Sequence, residues 1–328
     1  MIKYILLIMI YAISLNAFDI VAHRGYVHFP ENSNESIKSA LEYNYNGVEI
    51  DIQPLKKSNG VQSFALIHDL VVKRELKVSF LNSLKPSIFF TKEKWQTFTK
   101  KNRYGQPTIY NATTLKQVLE IFNDNFKDKQ FLNIEIKSPL VDTTDFYNLI
   151  KPYLSKFTIQ VSSNYLDKLK EIRDMDKNIY LGYIFLPNSK GVKKTVDKKV
   201  NGFLGMMHLD KYKTAYNEKS EKYTKQYEEK VTKGYFRDLK DIESKLSPNM
   251  GIHVDFEDVK KYTDLFKDIS KNKNIKIYIY SLDHDMLIET IKEYFENNNL
   301  KLDGVISDED IQSILSNADS LKKKIFLL

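Results

Sequence analysis

FDIVAHRGYVHFPENSNES, residues 18–36, decides how the rest of the chain is read. The apolar run from Phe18 to Ala22 has the composition of a buried strand, yet it ends in His23, Arg24 and Gly25. A Pro30-Glu31-Asn32 turn then leads into a helical pattern. Without other strands like it, the HRG triplet would be incidental and Gly25 merely a turn residue. Others exist. Short β-rich runs at 18–23, 47–53, 62–68, 131–137, 157–162, 178–185, 275–282 and 303–308 alternate with amphipathic stretches such as NESIKSALEYN and TLKQVLEIFND. Eight strands separated by helices predict parallel pairing through right-handed crossovers, and eight is the number that closes a TIM (β/α)8 barrel. An open doubly wound sheet is the alternative, but its Gly-rich dinucleotide turn is missing, as are a Walker pattern and an HExxH helix.

Two stretches interrupt the alternation and are expected as helical insertions on the barrel. One, roughly 70–110, follows the third predicted strand and carries the single tryptophan, Trp95. The other, roughly 187–250, lies between the sixth and seventh and is rich in Lys, Glu and Tyr. Tyr212, Tyr216, Tyr223 and Tyr227 share one helical face there, which reads as a packing face, with a substrate lid as the alternative. The N-terminus, MIKYILLIMIYAISLNA, has a lysine, a short apolar run and small residues, the order of a secretory signal too short to remain as a comfortable membrane span. Leu15, where Ala is more usual, leaves an uncleaved anchor as the alternative. The expected organisation is a signal peptide at 1–17 and one barrel domain over 18–328, exported across the inner membrane to the periplasm.

Composition narrows the function. With 42% hydrophobic and 12% aromatic residues in 328, most of the chain is not disordered. A net charge of +7 admits an anionic partner, but the lysines are scattered among Glu, Asp and Asn. No basic stripe interleaved with stacking aromatics stands out, which argues against a nucleic acid. With no cysteine, neither disulfides nor thiolate ligands are available.

The strands carry the chemistry. In VEID, Glu49 and Asp51 are two residues apart and share a face, with Val48, Ile50 and Ile52 on the other. LNIEIK divides the same way, setting Glu135 and Lys137 against Ile134 and Ile136. Each strand alone reads equally well as half-exposed and antiparallel. In a barrel, however, the apolar side faces the helices and the polar side the interior, where an unpaired carboxylate is costly or takes up a proton. Three acids facing one cavity therefore require a cation. An all-oxygen set suits one hard divalent ion, Ca²⁺ or Mg²⁺. His23 ends the first predicted strand, His68 the third, and the acids the second and fourth, so all are expected at the carboxyl rim.

In order, HRG, PEN, GVEID, IHD at 67–69, NIEIK and DGVISD resemble the signature of the glycerophosphodiester phosphodiesterase family over nearly the whole chain after the leader. The resemblance implies a metal-dependent TIM-barrel enzyme that cleaves glycerophosphodiesters to glycerol 3-phosphate and an alcohol. It implies His23 and His68 as the acid/base pair, Glu49, Asp51 and Glu135 as metal ligands, and Arg24 and Lys137 as phosphate-contacting cations. It also implies attack by a glycerol hydroxyl, giving a cyclic phosphate that water opens. The chain departs from the pattern in its KKSNG insertion, in LVVKREL after IHD, in PENS for PENT and in Tyr280-Ser281 for a Trp-Thr pair. Those departures bear on substrate range.

The chemistry also stands on general grounds. A divalent ion with Arg24 and Lys137 would neutralise the oxygens of a phosphodiester, Arg24 with a two-pronged contact that Lys cannot make. Two imidazoles, each titrating near neutrality, would serve as base and acid. His28, His208, His253 and His284 read as structural or surface groups, His28 being the one placed to approach a substrate. Glu31 reads as a helix-start residue or a partner of the site, and Asp308-Glu309-Asp310 as the start of the last helix. The KKKIFLL terminus reads as a fraying helix, with an anionic membrane surface as the alternative. A phospholipase D-like enzyme acting on lysophospholipids or intact phospholipids and a binding protein on a retired barrel are the competing functions.

Overall fold

The computed structural model describes residues 18–185, 217–218, 235–282 and 288–311. The leader, the tyrosine face, His208, His284 and the KKKIFLL terminus lie outside the described residues. In chain order the strands are β1 (Asp19–Ala22), β2 (Gly47–Pro54), β3 (Phe64–Leu66), β4 (Leu76–Lys77), β5 (Thr99–Lys101), β6 (Pro107–Asn111), β7 (Phe131–Ile136), β8 (Thr158–Ser163), β9 (Tyr180–Phe185), β10 (Met250–Val254), β11 (Ile275–Leu282) and β12 (Gly304–Ser307). β1, β2 and β7 to β12 pair in parallel, and because β1 bonds to both β12 and β2 the eight strands close into a barrel.

The period-2 pattern sorts the side chains as a barrel requires. Val48, Ile50, Ile52, Ile134 and Ile136 face outward into the main core, where Ile37 and Leu41 of the helix Asn34–Glu42 and Leu119 and Phe122 of the helix Leu115–Asn125 cover them. Both helices begin with a reciprocal cap, Ser33 with Ser36 and Thr114 with Gln117, which fixes where the chain turns from rim to helix. Inside the barrel, Val21, Phe131, Tyr180, Tyr278 and Ile306 form a separate buried cluster. The ring of His253 reaches this interior because the neighbouring strand β9 carries Gly182, where a Cβ would collide with the imidazole. No helix among the described residues is long and apolar enough to cross a membrane.

The strand count of eight is correct, but one member is exchanged. The expected third strand, 62–68, is not in the barrel: its core, β3, runs antiparallel to β2, pairing Ile52 with Leu66 and Pro54 with Phe64. The chain from Pro54 to Phe64 is too short for a crossover helix, so it can only fold back. The missing barrel strand is β10, at the end of the stretch expected as the second insertion, where MGIHV is too short and glycine-broken to stand out as an apolar run. The interruptions therefore fall between the second and third barrel strands (β2 and β7) and between the fifth and sixth (β9 and β10). The first is not the helical insertion expected: beside short helical turns it forms a small antiparallel sheet in the order β4, β5, β6, since its extended runs pair with one another. It has its own core, in which Trp95 packs with Leu55, Ile67, Val72, Leu76, Phe90 and Phe98. The indole N–H is satisfied by the Thr113 carbonyl at 2.8 Å.

Candidate active site

Parallel register brings the acids together. β2 pairs with β7 so that Asp51 lies beside Glu135 and Glu49 beside Asn133. Carboxylate oxygens of Glu49, Asp51 and Glu135 lie within 4.8 Å of one another at the rim. Glu49 and Asp51 are 1% and 0% exposed, so water cannot solvate them.

The loop after β1 wraps these acids. His23 continues the ladder, its N–H bonding the Ser307 carbonyl at 3.0 Å. Arg24 then takes a φ of +59° and Gly25 one of +86°. That left-handed pair is costly for an arginine, and it aims the Arg24 backbone N–H at Glu49 Oε2, 3.0 Å away. Asn32, also left-handed at +56°, caps Asp51 from both sides. Its amide donates to Asp51 Oδ2 at 2.9 Å, and its oxygen accepts from the Asp51 N–H at 3.0 Å. Asn32 stands in the PEN turn, but nothing in its local sequence shows that it reaches a strand rim 19 residues on.

The two expected phosphate cations lie among the acids. Arg24 places Nη1 2.9 Å from Glu31 Oε2 and Nε 3.0 Å from Asp51 Oδ2. Lys137 Nζ is 2.5 Å from Glu135 Oε1 and 3.3 Å from Asp51 Oδ1. Burial opposes ionisation of Asp51, but Lys137, Arg24 and both imidazoles outweigh it and hold this carboxyl well below the usual range. Glu49 goes the other way: burial, then the charges of Asp51 and Glu135, push its proton affinity well up. Glu49 Oε1 and Asp51 Oδ1 are buried without a hydrogen-bond partner among the described residues. A crowded set of hard oxygens, one of them on an acid that its neighbours disfavour as an anion, fits a hard divalent cation.

The two imidazoles arrive by different routes. His23 Nε2 lies 4.0 Å from Glu49 Oε2, and its Nδ1 lies 2.7 Å from Asp308 Oδ2. Burial, and then the charge of Arg24, lower the affinity of this ring for a second proton despite Asp308. His68 does not end a barrel strand. It follows antiparallel β3, is near enough to influence Asp51, and sets Nδ1 2.8 Å from Asp69 Oδ1. Its backbone N–H and that of Asp69 both donate to Glu75 Oε1, at 3.0 and 3.1 Å.

Several partners were not foreseen. Asp308, read as a helix start, contacts His23, and Arg103 from the inserted sheet contacts Asp308 Oδ1 at 2.6 Å. Glu31, by contrast, was expected as a helix start or a partner of the site, and it is buried between Arg24 and Arg74. These meetings join residues up to 285 positions apart, a distance over which no local pattern signals contact. His28 reaches Asp310, 3.1 Å off, with 63% of its side chain exposed. His253 lies inside the barrel, 3.3 Å from the Tyr180 hydroxyl. Tyr280 packs on the interior cluster and bonds the Phe185 carbonyl at 3.0 Å.

Comparison with known sequences places this barrel, with its rim of acids and imidazoles, in a family. The family model of the glycerophosphoryl diester phosphodiesterase family matches residues 23–310, and the chain belongs to that family. A glycerophosphodiester phosphodiesterase of Caldanaerobacter subterraneus is 28% identical over 174 residues, and an uncharacterized protein of Mycoplasma genitalium is 28% identical over 183. Each match takes in 51% of this chain and spans 66% of the relative's length. Among solved structures, an Oleispira antarctica phosphodiesterase in complex with the product sn-glycerol-3-phosphate superposes with a TM-score of 0.60 at 17% identity, covering 92% of this chain and 96% of that one. A glycerophosphodiester phosphodiesterase of Parabacteroides distasonis gives 0.57 at 15% identity, covering 92% and 98%. One from Thermotoga maritima gives 0.51 at 21%, covering 89% and 95%. At these identities the structural matches speak for the fold.

Proposed function

We propose that this protein hydrolyses glycerophosphodiesters to glycerol 3-phosphate and an alcohol, with one divalent cation, Ca²⁺ or Mg²⁺, held by Glu49, Asp51 and Glu135. The carrying observation is the convergence of those carboxylates within 4.8 Å, with His23 Nε2 4.0 Å from Glu49 Oε2 and the His68 backbone tied to the end of β2 through Gln53. The bound ion would supply charge neutralisation for the phosphoryl oxygens. Arg24 and Lys137, already among the acids, would turn part of their charge toward the phosphate. His23 offers Nε2 toward the acid cluster, and a carboxylate on Nδ1 of each ring keeps Nε2 free to take or give a proton. Family membership and the similarity to a glycerophosphodiester phosphodiesterase of Caldanaerobacter subterraneus support the reading.

Incubation with glycerophosphocholine and with a lysophospholipid, each with and without EDTA, tests it. Glycerol 3-phosphate from the first substrate alone, stopped by the chelator, is the expected result. Turnover of the lysophospholipid instead would favour the phospholipase D-like alternative, and none of either would favour a binding protein. We also propose that residues 1–17 direct export to the periplasm; a mature N-terminus near Phe18 in the periplasmic fraction, read by mass spectrometry, checks this.

A further inference from the structure

The inserted sheet touches the site at a point that the acid cluster does not explain. Asp308 follows the last barrel strand, and its two carboxylate oxygens are divided between different tasks. Oδ2 lies 2.7 Å from His23 Nδ1, and Oδ1 accepts from Arg103 Nη1 at 2.6 Å. The same guanidinium donates through Nη2 to the His23 backbone carbonyl at 3.1 Å. One planar group thus holds both the ring's acceptor and the ring's own backbone, a two-pronged contact that a lysine could not reproduce. Arg103 sits in the turn between β5 and β6, which is itself braced: Asn102 Oδ1 accepts from the backbone N–H groups of Tyr104 and Gln106 at 3.0 and 2.8 Å.

We propose that Arg103 and Asp308 are positioning residues that clamp the His23 ring with its proton on Nδ1 and its Nε2 lone pair facing the substrate, so that the inserted sheet completes the barrel's active site. The proposal rests on reading His23 as a proton-transfer group. A carboxylate can accept only from a protonated Nδ1, and the neutral ring then keeps its lone pair on Nε2, the atom 4.0 Å from Glu49 Oε2. At the open rim, an Asp308 free to swing into water would let the ring turn and exchange its tautomer. Arg103 removes that freedom by engaging the second oxygen. The insertion thereby contributes to chemistry on a strand that it does not pair with.

Long-range ¹H–¹⁵N NMR of the histidine rings at about pH 8, with His23 assigned by its loss in His23→Gln, reads the tautomer directly and needs no substrate. The wild-type ring is expected to carry its proton on Nδ1. Arg103→Met is expected to shift the His23 signals toward a mixture, and Asp308→Asn to shift them further. Turnover of glycerophosphocholine should fall about 10-fold in Arg103→Met and about 10²-fold or more in Asp308→Asn, in kcat with KM held within twofold. Tyr104→Ala, beside Arg103 and 90% exposed, should leave signals and rates unchanged, showing that the turn alone is not responsible. A wild-type His23 protonated on Nε2, or His23 signals unmoved in Arg103→Met, overturns the clamp. Absence of turnover by the wild-type protein would instead count against the phosphodiesterase reading, leaving the tautomer result to decide the clamp.

Discussion

The two imidazoles each meet a carboxylate that an arginine grips, but their backbones are seated differently. His23, with 12% of its side chain exposed, is seated by the barrel: its N–H belongs to the β1–β12 ladder, and its ring meets a carboxylate from the far end of the chain. His68, with 34% exposed, belongs to a loop outside the barrel and meets the carboxylate of its own neighbour, Asp69. Backbone pairing seats the first, and the Arg103–Asp308 pair then holds its ring. Charge fixes the second: Arg74 grips Asp69 through two nitrogens at 2.7 and 3.1 Å, and Glu75 gathers the backbone of the loop. Glu75 in turn faces Lys100, which is fully buried and whose Nζ bonds the Glu31 carbonyl at 2.7 Å. Burial raises the proton affinity of Glu75 and lowers that of Lys100, so each charge depends on the other for its existence there. One fold can therefore seat the backbone of one imidazole in its sheet and that of the other on an ionic scaffold.

Asp51 is the residue that both halves share, and its removal should do the most damage. Asp51→Ala leaves Arg24 and Lys137 without their common acid and should cost about 3–5 kcal/mol in urea unfolding as well as turnover. A near-wild-type midpoint would mean that the two halves are independent. His23→Ala and His68→Ala should each lower kcat by about 10²-fold or more. Their effects on stability should differ, with the melting temperature falling more for His23→Ala because that ring is the more buried. Equal melting temperatures would erase the distinction between sheet-held and charge-held rings.

A third imidazole extends the comparison to pH. Burial depresses His253 to about 3 from an ordinary 6.5, so the folded protein excludes a proton that the unfolded chain binds. Its contribution is neutral above pH 6.5 and increasingly destabilising as pH falls from there toward about 3. Between pH 7 and pH 5 this should remove about 2 kcal/mol of stability, a loss that His253→Phe should escape when urea midpoints are compared at the two pH values. The same loss in the variant would assign it to other groups. The smallest effect is expected at His28, whose largely exposed ring rests on Asp310. His28→Ala should keep kcat/KM within about twofold, surface substitutions away from a site being nearly neutral. A tenfold fall would extend the substrate's reach to that loop.

Much of this was legible in the chain, in identifiable places. The alternation in VEID and LNIEIK separated the acids from the core residues because a strand's side-chain period is two, whatever surrounds it. The histidine of IHD was recognisable as a residue type in a motif, but its placement was misjudged: an apolar run looks the same whether it pairs parallel inside a barrel or antiparallel at its flank. MGIHV was passed over because two of its interior positions, Gly251 and His253, are shaped by the barrel's contents and not by strand propensity. Asp308 looked like a helix start and Arg103 did not stand out at all, since neither shows its partner in its neighbours.

What the amino-acid order alone determined is the local part: which segments extend, which coil, which face of each is greasy, and which residue types wait at the strand ends. Those follow from backbone sterics and side-chain periodicity, which act over a few residues. The tertiary structure alone decided that β3 lies outside the barrel and β10 inside it, that Asn32 braces Asp51, and that Arg103 reaches Asp308. Those outcomes depend on closing a ring of strands and on satisfying buried charges across hundreds of residues, and such long-range constraints have no signature in any short stretch of chain.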